Sequence, residues 1–163
     1  MELDKLILTI VATAPNQQIE GKKRVHKTLY LSKYAGENVP ANFYIKYFGV
    51  FSDEVAETLE FLSVFRFLEA IEAQTNGYFT TLFQVPDVTI YTPSAHLQKI
   101  INLLYHESTP VLEVASTIAF FEEDGLDGRR AEQKTRSMKP TISTANNIRR
   151  SRKLLADLRA AHA

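Results

Sequence analysis

The stretch KKRVHKTLYLSKY, from Lys22 to Tyr34, constrains the fold more than any other part of the chain. At the roughly 100° between successive helical residues, Val25, Thr28, Leu29 and Ser32 form one stripe. Lys23, Arg24 and Lys27 lie opposite, and so do Tyr30, Leu31 and Tyr34. A helix with one apolar face rests on a surface, whereas one with apolar material on two sides has to be enclosed by neighbours on both. The expectation is a helix sandwiched within a domain, its second half buried.

The flanking sequence supplies the neighbours. Leu3, Leu6, Ile7, Ile10 and Val11 recur at helical spacing and predict a first helix that stops before Pro15. Its apolar run is too short and too mixed with charge for a signal peptide or a membrane span. PNQQIEG reads as a polar turn, and the aromatic-rich run Phe43 to Phe51 as a short extended segment. Ser52, followed by Asp53 and Glu54, predicts an N-cap for a helix with the core stripe Val55, Leu59, Leu62 and Phe65. TNGY predicts a turn in a ribbon made of Phe79 to Val85 and Val88 to Tyr91. Two further helices are expected near Ser94 to His106 and Val111 to Glu123, a polar linker from Gly125 to Pro140, and a last helix near Ala145 to Ala160. Ile148, Leu154, Leu155 and Leu158 form its apolar face; Arg149, Arg150, Arg152, Lys153 and Arg159 form the other.

These elements predict a mainly α domain with a small β-ribbon, of winged helix-turn-helix type with additional C-terminal helices. Residues 1–125 are expected to form the winged-helix-like domain with its helical extension. Residues 126–163 would be a polar linker and a basic C-terminal helix packed on the same domain. The 163 residues, 45% hydrophobic and 23% charged, suit one globular unit. The absence of cysteine excludes disulfides, thiolate metal sites and cysteine nucleophiles, and fits a reducing, cytoplasmic setting.

Charge is neutral in sum and uneven in place. Met1 to Glu60 carries 7 basic and 8 acidic residues, Phe61 to Gly125 carries 2 and 8, and Leu126 to Ala163 carries 10 and 3. His26, His96, His106 and His162 have no helical metal-ligand spacing. Glu122, Glu123, Asp124 and Asp127 offer oxygen ligands, but they lack the spacing of a calcium loop and read as a helix end answered by Arg129 and Arg130. With no glycine-rich phosphate loop and no nucleophile elbow, the expectation is a protein without catalytic residues, metal or cofactor.

Four segments, KKRVHKTLYLSKYAG, FYIKYFGVFSDEVAETLEFL, TPVLEVASTIAFFEEDG and KPTISTANNIRRSRKLLADL, resemble in that order the uncharacterised YwgA-like proteins. The first two also look like the Panacea domains, which are associated with antitoxin and proteolytic-adaptor roles. Lys23, Lys27, Tyr30 and Leu31 stand where the first family motif stands. In the second, Phe48, Val50 and Phe51 stand where the family has tyrosine, proline and tyrosine.

The resemblance and the charge distribution together imply a non-catalytic binding module. A DNA-binding or antitoxin-like regulator comes first, with Lys23, Arg24, Lys27, Arg149, Arg150 and Lys153 contacting the phosphates of double-stranded DNA. A protein-interaction adaptor comes second, with Phe48 and Phe51 as its contact residues. The acidic middle and basic tail are also complementary enough to pair within a homodimer, and no membrane contact is expected.

Overall fold

The computed structural model describes residues 1–47 and 49–162. Among them the order is α1 (Leu3–Thr13), β1 (Gln18–Glu20), α2 (Lys22–Tyr34), β2 (Tyr44–Lys46), β3 (Gly49–Phe51), α3 (Asp53–Val64), β4 (Glu69–Thr75), β5 (Tyr78–Gln84), α4 (Ala95–Tyr105), α5 (Thr109–Glu123), α6 (Gly128–Met138) and α7 (Ala145–His162). The result is a mainly helical fold with two small antiparallel sheets. One sheet has the order β1-β5-β4, with Ile19 opposite Phe83 and Ala70 opposite Phe83 on the other side. The other is the hairpin β2-β3, with Ile45 opposite Val50.

The enclosed helix is present. Val25 and Leu29 of α2 join Leu97 and Ile101 of α4 in a core shared with α1, α3 and Phe83 of β5. Tyr30 and Leu31, on the other side of α2, join Ile100 and Leu104 of α4 in a second core with β3, α5 and α7. Two helices therefore form the wall between two apolar clusters, and each contributes a face to both. This is why a helix opening with three consecutive basic residues has eight buried residues from Val25 to Ser32. The N-cap at Ser52 is also as expected: its Oγ accepts the Val55 N–H at 3.3 Å.

Four expectations are corrected. The supposed linker contains helix α6, capped by Asp127, which accepts the Arg130 N–H at 2.9 Å. Its inward side is made of Ala131 and Thr135, small residues that leave no apolar period to read. The ribbon turns at TNGY, but its first arm precedes the turn as β4, while Val88–Ile90 is a single 3-10 turn. EAIEAQT has weak strand propensity and becomes a strand by pairing with β5. Within PNQQIEG, Gln18–Glu20 forms β1 because Ile19 is buried against the same strand. Phe65 lies outside the core at 62% exposure, and Leu68, just after it, fills the interior instead.

Candidate functional site

The six basic residues expected on a phosphate surface are placed in different roles. Lys27 is 1% exposed, and its Nζ donates to the Val50 carbonyl at 3.1 Å. Burial chiefly, with Lys139 and Lys23 nearby and Glu113 opposing them, holds its pKa down at about 8. It has no surface from which to meet a duplex. Arg24 donates to Thr109 Oγ1 and to the Glu107 carbonyl, both at 2.9 Å, and lies 4.5 Å from the centre of the Tyr105 ring. It thereby satisfies backbone at the α4-α5 corner, where helix carbonyls lack intrahelical partners. Arg150 reaches the same corner through Glu107 at 2.9 Å, so the fold does bring these two basic residues of α2 and α7 together. Lys23 is half-exposed beside Glu113 at 3.6 Å, Lys153 pairs with Asp157 at 2.7 Å, and Arg149 is exposed, donating to Asn146.

Of the two aromatic candidates, Phe51 is half-buried and stacked on His26, with ring centres 4.3 Å apart. Phe48 lies outside the described residues. His26 Nδ1 accepts the Ser52 N–H at 3.2 Å, which places the ring proton on Nε2. Burial, reinforced by Lys27, Lys22 and Lys46, lowers its pKa to about 4.

The acidic end of α5 is neutralised, but by different partners from those expected. Glu122 pairs with Arg152 and, at 2.9 Å, with Arg159, both on α7, and Glu123 accepts the Tyr30 hydroxyl. Arg130 answers Asp127 alone, at 3.6 Å. Among the described residues no group of three or more His, Cys, Asp or Glu side chains is placed to hold a metal ion.

The face that sequence reasoning passed over lies on α3 and the β4-β5 hairpin. Phe61, Phe65 and Phe67 are 49%, 62% and 53% exposed, and they contact one another with ring centres 4.7 Å apart for Phe61 and Phe65 and 6.5 Å for Phe61 and Phe67. Beside them a groove of about 490 Å³ runs between helix and hairpin. Leu59, Val64 and Phe83 supply apolar lining, Glu57, Glu60 and Glu72 supply carboxylates, and Lys22 stands at its edge. From Asp53 to Gln84 the chain has six acidic residues and one basic residue, Arg66. A signal existed in FLSVFRF, because Val55, Leu59 and Leu62 already fill the inward stripe of α3 and leave three phenylalanines over.

No helix among the described residues is long and apolar enough to cross a membrane. No family model matches the chain, so the local likeness to Panacea domains finds no support, and no solved structure matches either. Over 132 aligned positions, covering 75% of this chain and 76% of the relative, the sequence is 26% identical to the uncharacterised protein YwgA of Bacillus subtilis (strain 168).

Proposed function

We propose that this protein is a non-catalytic protein-binding module whose α3 and β4-β5 face holds a basic, partly apolar segment of another protein. The observation that carries this reading is the contiguous exposed cluster Phe61, Phe65 and Phe67 beside an acid-lined groove. Clustered exposed aromatics on a folded surface mark interaction sites, and carboxylates around them select a cationic partner. An antitoxin-like regulator that acts by covering a basic protein surface falls within this proposal.

The element order α1, β1, α2, α3, β4, β5 with the sheet order β1-β5-β4 supports a winged-helix derivative, with α3 as third helix and β4-β5 as wing. In a DNA-binding member those two elements face the duplex. Here they carry Asp53, Glu54, Glu57, Glu60, Glu69 and Glu72 against Arg66. A duplex with one negative charge per roughly 1.7 Å of axis would be repelled by such a face. The basic residues of α2 and α7 are largely engaged with Glu107, Glu113, Val50 and Asp157, which favours the adaptor over the DNA reading.

The test is cross-linking in the native cell from a photoreactive side chain placed at position 65, with a second placed at position 153 as control. The expected result is one partner of defined mass from position 65, cross-linked through a segment of net positive charge. Its affinity for the purified protein should fall at least about tenfold in Glu60→Lys and in Phe65→Ser. A cross-link to a second copy of this chain would replace the foreign partner by self-association. Salt-dependent binding of mixed DNA duplexes by the purified protein, lost in Arg149→Glu, would overturn the proposal in favour of DNA.

A further inference from the structure

The hairpin beside the aromatic face has an open strand edge. β4 is the outermost strand of the order β1-β5-β4, and its register with β5 runs without a bulge from Glu69 opposite Gln84 to Thr75 opposite Tyr78. Thr75 and Tyr78 flank the two-residue turn of Asn76 and Gly77, both at positive φ, so they form a hydrogen-bonded pair. Bonded and non-bonded pairs alternate along an antiparallel ladder. Glu69, Ile71 and Ala73 therefore turn their N–H and C=O groups toward β5, and Ala70, Glu72 and Gln74 turn theirs outward. The far edge of β5 follows the same phase: the carbonyl of Thr81, opposite Glu72, points away from β4 and accepts the Gly21 N–H at 2.8 Å. Nothing equivalent covers β4, because among the described residues no other strand or backbone group bonds to it from the outer side. Ala70, Glu72 and Gln74 are all exposed.

We propose, building on the protein-binding role of this face, that the cationic partner adds a strand antiparallel to the outer edge of β4, with alternate basic side chains on the groove side. The outward N–H and C=O groups of Ala70, Glu72 and Gln74 supply affinity for any extended backbone, and the side chains beside them supply selectivity. Antiparallel addition continues a sheet that is antiparallel throughout, and it makes the stronger ladder. Directly opposite residues share a face of the ladder, and Ala70 and Glu72 line the groove together with Glu57 and Glu60 of α3. Partner residues opposite Ala70, Glu72 and Gln74 therefore meet carboxylates, while those between them lie beside Ile71, which is 42% exposed on the other face. EAIEAQT has no proline or lysine to shield its edge, and both of its charges are negative. A second copy of this chain is disfavoured as occupant, since antiparallel pairing of two β4 strands about their midpoint sets Glu72 against Glu72.

The probe is the peptide acetyl-Lys-Val-Lys-Val-Lys-Val-Lys amide, titrated calorimetrically into the full chain, with two further forms N-methylated at the internal lysines or at the valines. N-methylation keeps the charge and removes the backbone donor. In the antiparallel register the lysines lie opposite Ala70, Glu72 and Gln74, so their N–H groups bond to β4 and those of the valines face solvent. The unmodified and valine-methylated peptides should bind one to one with similar affinity, and the lysine-methylated peptide at least about tenfold more weakly. Glu72→Lys, at an exposed position, should weaken the unmodified peptide at least about tenfold. Amide hydrogen exchange is the second readout: Ala70, Glu72 and Gln74 should exchange fast in the free chain and slowly in the complex, with Ile71 and Ala73 protected in both. No saturation by the unmodified peptide at about 1 mM, weakening by valine methylation, equal binding of all three peptides, or outward amides already protected in the free chain overturns strand addition. Capture of a basic partner from position 65 alongside any of those results keeps the protein-binding role and removes only the strand.

Discussion

Acidification should destabilise this protein through one residue, His26, by an amount that follows from its surroundings. The imidazole is buried between α2 and β3, stacked on Phe51, and its Nδ1 accepts the Ser52 N–H. Protonation would convert that acceptor to a donor facing another donor, in a site already near Lys22, Lys27 and Lys46, with Asp53 alone acting in the other direction. The folded-state pKa of about 4 lies below the ordinary 6.5, so the unfolded chain binds more protons throughout that interval, and stability falls as pH falls from about 6.5 to about 4. At pH ~4.5 the loss attributable to His26 is on the order of 2 to 3 kcal/mol. Carboxylates add to the same loss at the acid end, Glu54 among them, because hydrogen bonds from its own N–H, Asn42 and Ser52 hold its folded-state pKa down at about 2 while the unfolded chain protonates sooner, so the useful measurement is a double difference. Urea melts of wild type and His26→Gln at about pH 7 and 4.5 supply it, because the carboxamide oxygen of the variant can accept the Ser52 N–H without titrating. The variant will be less stable at neutral pH through loss of the ring contact with Phe51, and that term cancels. Wild type should lose on the order of 2 to 3 kcal/mol more than the variant on acidification, and equal losses within about 0.5 kcal/mol would refute the placement of a neutral, accepting His26 in the interior.

Lys27 should produce a trend of the same sign at alkaline pH: its folded pKa of about 8 lies below the ordinary 10.5, so stability should rise with pH between those values in wild type relative to Lys27→Met, as measured by denaturant melts. Leu29→Ala empties a fully buried position in the first core and should cost about 2–5 kcal/mol by the same assay. Ser52→Ala removes the α3 cap and should cost roughly 1 kcal/mol, with faster hydrogen exchange at Val55. Gly49→Ala should destabilise by at least about 1 kcal/mol, since the new methyl group needs a positive φ and meets Lys139; a thermal melt unchanged from wild type would exclude that close approach.

How much of this was legible depends on where each element gets its reason to form. α1, α3, α4, α5 and α7 announce themselves through apolar periodicity and start signals, as does the Ser52 cap. β1, β4 and α6 do not, because Gln18–Glu20 and Glu69–Thr75 are strands only by pairing with β5, and α6 buries small side chains. The same limit applied to the basic residues. A lysine that is going to be solvated and one that is going to be enclosed have identical sequence signatures, and Lys27 falls on a stripe with Lys23 and Arg24 whichever role it has. Two of the four segments quoted for the resemblance contain Glu113 and Lys139, but nothing local says that they converge on Lys23 from 90 and 116 positions away. The exposed phenylalanines were the reverse case, present in the sequence as a surplus over the inward stripe of α3, yet counted as core through Phe65.

The basic motif on α2 and the short hairpin beside it explain each other. β3 has three residues and, among the described residues, pairs with β2 alone, so backbone groups along it depend on side chains once they are buried. Consecutive residues of the enclosed helix provide them: Lys27 donates to the Val50 carbonyl, and His26 accepts the Ser52 N–H. One residue must be a long donor and the other an acceptor without charge, which is why the lowered pKa of His26 matters to the fold as much as the reach of Lys27. The Ser52 held in this way caps α3, the helix that carries the exposed aromatic residues. Polarity inside α2 is thus connected through β3 to the orientation of the proposed binding face. On this basis His26→Gln, which preserves the accepting group, should retain partner binding at neutral pH, whereas His26→Leu, which leaves the Ser52 N–H buried and unpaired, should weaken it together with hydrogen-exchange protection at the start of α3. Retention of both by His26→Leu would show that α3 is positioned by its apolar stripe alone.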